Sequence, residues 1–425
     1  MNSVAITKIQ AAIIAAIIII AAIAGVVYYL MLPTGPTVPE KIVIGWTTSL
    51  SGAYSAHTEY SREAVRLWLD KVNAEGGIYV AEYDKRLPVE VTMYDDESDP
   101  DVAVRLYEKM ITVEGIKMFL GPWGSTLNTA VAPLADKYHV PIIVACGASP
   151  SIYERGQEWL FYVGCTTDVY NKAPIALFKN LEPPPRTFAI VSLKQPWPTA
   201  CAESLEKEIR KNPDWELVYI GWYETGTADF SPIISELIAL NPDVVINPCY
   251  FEDGTLFAKQ AKEMGLRPKL FFNYIAHMTD FIDAMGEDAE GFFGIQDTGW
   301  NLETGVDIHW FLENYRERYG REPNPCYSGF PFIALQVWKQ AIEKAGTITD
   351  TEKLRDVLLT EKFETLWGPN TYFDAITTEE GKVRKYIYPE AWGAVCQIQN
   401  GEILFVWPPK CQETEPWYPY EYFSS

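Results

Sequence analysis

Apolar and polar positions along this chain follow two periods, one typical of buried strands and one typical of amphipathic helices. The apolar run at residues 42–46 has the length of one buried strand, and a loop of small residues at 47–52 follows it. Apolar side chains at 64, 65, 67, 68 and 72 then recur at helical spacing before Asn73, Gly76 and Gly77 end the helix. This stretch predicts a strand, a loop and a helix in sequence.

The same unit repeats along most of the chain. Further strands are predicted at 89–94, 118–121, 141–145, 187–192, 216–222, 244–247 and 269–273. Helices are predicted at 100–112, 127–138, 200–211, 231–239, 254–264, 307–319 and 327–345. Such alternation predicts an α/β fold with parallel-rich sheets flanked by helices. A hairpin at 392–399 and 402–407, turning at Asn400-Gly401, is predicted near the C-terminus.

The 425 residues exceed one ordinary core and predict two domains. The strand–helix rhythm is interrupted near 166–173, 292–297 and 367–374, so we expect three crossovers between two interleaved lobes. Lobe 1 then comprises residues 41–165 with 295–370, and lobe 2 comprises 166–294 with 371–425. Several connecting strands suit a hinge that closes over a ligand.

The N-terminal residues 1–32 predict a membrane anchor or a signal. Residues 11–32 are uncharged and rich in Ile and Ala, long enough for a transmembrane helix across about 30 Å of hydrocarbon. Lys8 precedes them, which places the rest of the chain on the extracytoplasmic side. The run exceeds the usual signal core of about 7–15 residues, which favours a retained anchor, although Ala22-Ile23-Ala24 leaves a cleaved signal and a secreted protein open. Residues 33–40 predict a Pro-rich linker.

Composition excludes several classes of function. The net charge of −22 and the pI of about 4.7 argue against nucleic acid and against broad docking on anionic lipid. Seven Cys residues leave open a Cys396–Cys411 disulfide or buried thiols. Without CxxC spacing, and with four scattered His residues, neither a metal site nor a cofactor is predicted.

Two loops carry the candidate ligand chemistry. In the first, residues 121–126 end one strand and open the helix at 127, with Ser125 or Thr126 as the expected N-cap and backbone N–H groups that attract an anion. Residues 145–150 repeat the design one strand later. With the loop at 47–52, they lie at the carboxyl ends of parallel strands, where open α/β sheets bind ligands.

Other candidate motifs weaken the case for catalysis. The acidic turn at 95–99 is expected to cap the helix that begins at Pro100, because it lacks the Gly of a calcium loop. The chain has no nucleophile elbow, P-loop or Gly-x-Gly-x-x-Gly motif, so we do not expect an enzyme and predict no catalytic residue.

Aromatic residues cluster at strand ends and are candidates to line a cleft: Trp123, Tyr170, Tyr250, Phe251, Tyr274 and Tyr327.

In combination, several segments resemble the type I periplasmic solute-binding proteins of ABC transporters, in the branch of the leucine/isoleucine/valine-binding proteins. These segments are IVIGWTTSLSG, NAEGGI, FLGPWGS with APLADKYHVPII, ADFSPIISEL, NPDVV and AKEMGL. The likeness runs from about residue 41 to the C-terminus. It implies two α/β lobes, three crossovers and a solute in the cleft between them.

The resemblance also implies roles for individual residues. The ligand carboxylate would be held by the Ser125 hydroxyl, the Gly147 backbone and the Ser149 hydroxyl. Tyr250 would contact the solute from lobe 2. Tyr327 would contact it from a late helix.

His57 lies where the first loop of relatives often presents an aromatic residue. Tyr274 stands where amino-acid-binding relatives place an acid against the ligand ammonium. The solute therefore either lacks an amine or finds its partner among other acids, for which the candidates are Glu224, Glu252, Asp253 and Asp297.

We therefore expect an extracytoplasmic receptor for a small solute, an amino acid, amide or organic acid, that delivers it to an ABC importer by cleft closure. Its partners would be the solute, the permease subunits of the transporter and, through the N-terminal helix, the membrane. The alternatives are a structural protein of the envelope and a sensor ectodomain that reuse the same fold.

Overall fold

The computed structural model describes residues 8–31, 38–296, 299–378, 380–389 and 392–420. Its helices are α1 (Lys8–Met31), α2 (Ser55–Ala74), α3 (Pro100–Thr112), α4 (Ser125–Tyr138), α5 (Pro150–Tyr153), α6 (Thr167–Tyr170), α7 (Lys172–Asn180), α8 (Pro196–Lys211), α9 (Ser231–Leu240), α10 (Phe251–Glu263), α11 (Thr279–Met285), α12 (Ile308–Tyr319), α13 (Phe330–Ala345) and α14 (Thr351–Thr360). Short 3-10 turns occur at Ala81–Tyr83 and Gly286–Ala289, and a π-helical turn, Pro325–Gly329, leads into α13.

The described strands are β1 (Ile42–Thr48), β2 (Ile78–Val80), β3 (Lys85–Leu87), β4 (Val89–Asp95), β5 (Phe119–Leu120), β6 (Ile142–Val144), β7 (Leu160–Tyr162), β8 (Thr187–Leu193), β9 (Glu216–Tyr223), β10 (Val244–Asn247), β11 (Leu270–Asn273), β12 (Phe293–Gln296), β13 (Phe363–Thr365), β14 (Gly368–Thr371), β15 (Asp374–Thr377), β16 (Val383–Ile387), β17 (Ala394–Gln399) and β18 (Glu402–Trp407). Ten of the eighteen described strands were predicted, and their ends agree to within about two residues; β2, β3, β7 and β12 to β16 were not predicted.

Two seven-stranded sheets form the two lobes. The first has the order β15-β16-β7-β6-β5-β1-β4 and the second the order β18-β17-β12-β11-β10-β8-β9. Six consecutive strands run parallel in the first sheet, from β16 to β4, and five in the second, from β12 to β9. Antiparallel pairing in these two sheets is confined to β15 with β16 and to β17 with its neighbours. This confirms the predicted α/β fold with two parallel-rich lobes.

The third crossover lies later than predicted. We expected it near 367–374, but β15 and β16 pair with the first sheet, Ile387 opposite Tyr162. The chain therefore passes to the second sheet only between β16 and β17. Two short polar strands at a sheet edge carry little apolar pattern, which is why their lobe could not be assigned from periodicity.

The N-terminal anchor is not confirmed. Among the residues that the structure describes, no helix combines the length and the apolar character needed to cross a bilayer. The linker predicted at 33–40 lies mostly outside the described residues.

The acidic turn acts as a helix cap, as predicted. The Asp99 carboxylate accepts the N–H groups of Asp101 at 2.8 Å and Val102 at 3.0 Å, at the start of α3. The preceding Asp96 is buried and accepts the hydroxyls of Thr47 at 2.9 Å and Ser49 at 2.5 Å. These bonds tie the loop after β1 to the end of β4.

The possible Cys396–Cys411 disulfide is absent, because all seven cysteines are thiols. Cys396 and Cys411 belong to one small apolar cluster, yet the Cys411 thiol points at the carbonyl oxygens of Trp407 and Pro408, at 3.7 and 3.4 Å. Burial raises the pKa of both thiols.

Arg384 connects the end of the first sheet to the first crossover. Its side chain is 8% exposed and donates to Glu154 at 3.0 Å, Thr166 at 3.0 Å and Asp168 at 2.8 Å. Thr166 and Asp168 lie where the chain leaves the first lobe. A buried arginine thus fixes β16 against that connection.

We expect Arg384→Met to lower the free energy of unfolding by about 2–4 kcal/mol, because it leaves carboxylates without their buried partner. Lys41→Met is the matched control, since Lys41 and Glu90 form an ion pair with side chains 46% and 50% exposed. The control should change stability by about 1 kcal/mol or less. Denaturant titrations followed by tryptophan fluorescence measure both, and equal effects would contradict the role given to Arg384.

Candidate functional site

A cavity of about 40 Å³ lies between the two sheets. By the same measure a single water molecule needs about 10–15 Å³, so the cavity has room for more than one water molecule. We call it the interlobe cavity; the first lobe lines it with Trp123, Gly124, Ser125, Cys146, Gly147, Ala148, Cys326 and Tyr327, and the second with Trp197, Tyr250, His277 and Ile295. Most of these residues follow the carboxyl ends of β5, β6, β8, β10 and β11. This is the ligand position expected for α/β sheets.

Ser125 occupies the first turn of α4, and its position corrects one prediction. The N-cap is Gly124, with φ 89°, a conformation that favours glycine, rather than Ser125 or Thr126. The Ser125 hydroxyl is therefore not used as a cap. It accepts the backbone N–H of Ser149 at 3.0 Å, so its own hydrogen can still donate to a guest.

The amide of Asn128 holds the two first-lobe loops together. Its Nδ2 group lies 2.7 Å from the Pro122 carbonyl, 2.9 Å from that of Gly124 and 3.0 Å from that of Cys146. Gly147 packs so closely that an added Cβ would lie 2.9 Å from Asn128 Nδ2. Sequence analysis missed Asn128; a buried-face Asn one helical turn after the loop was the available signal.

Ser149 lies differently from its predicted role. Its hydroxyl is 3.1 Å from that of Ser151, and both serines line a neighbouring groove rather than the interlobe cavity. The predicted convergence of the two loops is present, but Gly147 and Ala148 provide the cavity wall. Ser149 contributes its backbone N–H to Ser125 and no hydroxyl to the cavity.

Aromatic rings from both lobes form most of the remaining wall. The Trp123 ring centroid lies 5.6 Å from that of Tyr327 and 5.8 Å from that of Tyr250. His57 stacks on Trp123 at 4.6 Å, so the predicted first-loop aromatic lies behind this wall instead of forming it. Trp197, which the sequence analysis did not select, stacks on Tyr250 at 5.4 Å.

Tyr274 and Tyr170 support Trp197 rather than line the cavity. The Tyr274 hydroxyl donates to Asn171 Oδ1 at 2.7 Å, and its ring packs edge-on against Trp197 at 5.6 Å. The Trp197 indole N–H donates to the Tyr170 hydroxyl at 2.5 Å. The aromatic wall thus has a second row of aromatic side chains behind it. Trp197 could have been noticed as an aromatic in the first turn of a helix after β8.

Both histidines near the cavity are buried and neutral. Burial lowers the pKa of His57 to about 3, and the nearby His277 adds to this. Burial also lowers the pKa of His277 to about 4, against the opposing effect of the Tyr274 and Ile295 carbonyls. His57 Nε2 accepts the Phe251 N–H at 3.3 Å, and His277 Nδ1–H donates to the Tyr274 carbonyl at 2.8 Å.

Three buried polar atoms of the lining residues have no hydrogen-bond partner within the described chain. They are the indole nitrogen Nε1 of Trp123, which is a donor, Nε2 of His277, which is an acceptor in the neutral ring, and the hydroxyl oxygen of Tyr250, which can donate or accept. Buried polar groups are normally paired, so such atoms beside a cavity indicate where a guest would bond.

The described lining of the interlobe cavity contains no Lys, Arg, Asp or Glu. The acids considered as ammonium partners lie elsewhere. Glu224 pairs with Lys194 at 2.7 Å in an exposed position. Asp253 lines a neighbouring pocket with Glu252 and accepts the Tyr223 hydroxyl, while burial raises the pKa of Asp253 to about 6. Asp297 lies outside the described residues.

Direct hydrogen bonds connect the lobes around the cavity. Tyr60 on α2 places its hydroxyl 2.6 Å from Asp280 Oδ2 and 2.8 Å from Thr279 Oγ1, at the start of α11. Tyr54 donates to Gln195 Oε1 at 2.9 Å, across the other side of the cavity. These bonds join the two lobes on both sides of the cavity.

Comparisons with known proteins agree with this architecture. The family model described as "Periplasmic binding protein" matches residues 41–385. "Leu/Ile/Val-binding protein homolog 8" of Brucella abortus is 24% identical over 305 residues, which cover 69% of this chain and 74% of that protein.

Two solved structures share the fold. LivJ of Streptococcus pneumoniae, a branched-chain amino acid transporter substrate-binding protein in complex with isoleucine, has a TM-score of 0.73 at 20% identity and covers 85% of this chain and 97% of its own. A solute-binding protein of an ABC transporter from R. palustris, in complex with benzoate, has a TM-score of 0.69 at 16% identity and covers 86% and 95%.

The family model covers most of the chain, and solved structures of solute-binding proteins share its fold. The family consists of extracytoplasmic solute receptors rather than enzymes. The chain belongs to the periplasmic binding protein family, the solute-binding proteins of ABC transporters, as its resemblance to the leucine/isoleucine/valine-binding branch predicted.

Proposed function

We propose that this protein captures a small organic acid without an amine between its lobes and delivers it to an ABC importer. The observation that carries the proposal is the charge distribution at the interlobe cavity, where donors are present on the first-lobe wall and no acid is present on either wall.

The first-lobe wall suits a carboxylate. The Ser125 hydroxyl lies at the N-terminus of α4, where the first N–H groups of a helix have no intrahelical acceptor and the helix dipole favours an anion. The unpartnered Trp123 indole N–H adds a second side-chain donor. Hydrogen bonds to a charged acceptor are worth about 1.5–3 kcal/mol each.

The second-lobe wall does not suit an ammonium group. Tyr250, Trp197, His277 and Ile295 carry no negative charge, and a desolvated ammonium without a partner costs several kcal/mol. Solved relatives bind isoleucine in one case and benzoate in another, so the fold accommodates both ligand types. The second-lobe wall of this protein favours a ligand of the benzoate type, an acid without an amine.

A cation held by aromatic faces is the competing explanation, because aromatic residues can bind quaternary ammonium groups. Here the rings use their faces on one another. His57 stacks on Trp123 at 4.6 Å, and Trp197 stacks on Tyr250 with an interplanar angle of 21°. Because these ring faces are covered by other rings, the wall favours the apolar part of a ligand over a cation.

The ligand class can be tested with acids that differ only in the amine. We expect 4-methylpentanoate to bind more tightly than leucine, and 3-phenylpropanoate more tightly than phenylalanine, by tenfold or more, since an unpaired buried ammonium costs several kcal/mol. Titration calorimetry on protein freed of copurified solute measures this, with glycine betaine testing the cation alternative. Mass spectrometry of the copurified solute provides an independent check. Preference for leucine or for glycine betaine would contradict the proposal, and failure to find any bound solute would favour an envelope protein.

The donor on the first-lobe wall can be tested at Ser125. Ser125→Ala is expected to weaken binding of the tightest acid by about tenfold or more, the loss of one charge-assisted hydrogen bond. Ser149→Ala is the matched control, because its hydroxyl faces Ser151 in the neighbouring groove, and it should retain affinity within about twofold. Titration calorimetry on both variants measures the loss of affinity. Equal losses of affinity would mean that both hydroxyls reach the ligand.

We further propose that the lobes close over the solute, which then contacts both walls at once. Tyr60→Phe removes the hydroxyl that bonds Asp280 and Thr279 across the lobes and should raise the open fraction. Small-angle X-ray scattering of the unliganded variant should show a larger radius of gyration than the wild type. Tyr79→Phe is the control, because the Tyr79 hydroxyl bonds Asp84 within lobe 1. An unchanged radius of gyration for Tyr60→Phe would mean that the Tyr60 hydroxyl does not help to hold the lobes closed.

A further inference from the structure

We propose that His277 selects a solute that carries a hydroxyl group, which donates a hydrogen bond to His277 Nε2 from within the interlobe cavity. The inference rests on the proposed function and specifies which organic acid the site prefers. It makes His277 a specificity-determining residue that the sequence analysis did not identify.

The orientation of the ring fixes which nitrogen faces a guest. His277 Nδ1 lies 2.8 Å from the Tyr274 carbonyl oxygen, an acceptor, so Nδ1 must carry the hydrogen. In a neutral ring Nε2 then has only a lone pair. This atom is buried, belongs to a residue that lines the cavity, and receives no hydrogen bond from the described residues; the Ile295 carbonyl beside the ring is itself an acceptor and cannot satisfy it.

The neutral state is maintained by the surroundings. His277 is 6% exposed, and its pKa is about 4, so the ring is uncharged near neutral pH. The groups packed around it are Tyr327, whose ring meets it edge-on at 5.2 Å, His57, the carbonyls of Tyr274 and Ile295, and the amide of Asn324, which donates to the His277 carbonyl at 3.4 Å. None of these supplies a carboxylate that would stabilise the imidazolium.

The ring is also held in place. The Nδ1 bond to Tyr274 and the edge contact with Tyr327 fix its plane, so Nε2 cannot turn toward another donor without losing both. A buried acceptor without a hydrogen bond costs free energy. A ligand that has no donor at this position leaves Nε2 unpaired and binds less tightly, whereas a ligand with a donor there pairs with Nε2.

A hydroxyl fits this position better than an ammonium or a carboxylate does. An ammonium is disfavoured because the described lining has no acid. A carboxylate offers only acceptors and would face the Nε2 lone pair. The carboxylate is therefore expected on the first-lobe side, near Ser125 and Trp123, with the hydroxyl on the second-lobe side.

Matched aromatic acids test the inference by titration calorimetry. The probes are benzoate, its three monohydroxy isomers, 4-methoxybenzoate, phenylacetate and 4-hydroxyphenylacetate. In the wild type, at least one hydroxylated acid should bind tenfold or more tightly than its unsubstituted parent. 4-Methoxybenzoate, which has an acceptor but no donor, should bind no more tightly than benzoate.

The variants assign the preference to His277. In His277→Phe the advantage of the hydroxylated acid should fall to threefold or less, while binding of the parent acid is retained. His277→Gln, whose amide oxygen can accept, should restore part of the advantage. His309→Phe, at an exposed position on α12, should leave the preference unchanged. Circular dichroism and thermal unfolding establish that the variants are folded.

Each outcome bears on a defined claim. A hydroxyl preference that is absent from the wild type, or that persists in His277→Phe, overturns this inference and leaves the amine-free acid receptor intact. Binding of none of the acids overturns the proposed ligand class, and this inference with it.

Discussion

The hydrogen bonds of the Asn128 amide with three backbone carbonyls are the constraint on which the candidate site depends. They draw the loops after β5 and β6 together, so that Ser125 meets the backbone of Ser149 and leaves its hydroxyl hydrogen beside the cavity. Gly147 lies so close to the same amide that a residue with a Cβ would not fit there without a shift, so this part of the wall carries no side chain. The donors of the first lobe therefore converge without any charged side chain among the described lining residues.

The second lobe lines the interlobe cavity with aromatic rings and a neutral histidine rather than with an acid. Tyr170 and Tyr274 hold Trp197 from behind, Trp197 stacks on Tyr250, and His277 is fixed between the Tyr274 carbonyl and Tyr327. The second-lobe wall thus offers apolar contact area, the Nε2 atom of His277 and the hydroxyl of Tyr250, and its described residues include no carboxylate.

The contacts between the lobes are separate from the cavity wall. Tyr60 reaches Asp280 and Thr279 on one side, and Tyr54 reaches Gln195 on the other. None of these side chains lines the cavity, so the described contacts between the lobes and the groups offered to a guest belong to different residues.

The sequence alone determined the order of the strands and helices with a clear apolar pattern, the two parallel-rich lobes and the loops that carry Ser125 and Gly147, because periodicity and small-residue loops are local signals. It also indicated Trp123, Tyr250 and Tyr327, which line the cavity. It did not indicate the short strands β2, β3, β7 and β12 to β16 or the short helices α5, α6 and α11. Tertiary structure decided the rest: that β15 and β16 join the first sheet, that Ser149 and Tyr274 face away, and that Trp197 and His277 face in. The direction in which a side chain points from an irregular loop depends on packing against distant elements, and no local pattern records it.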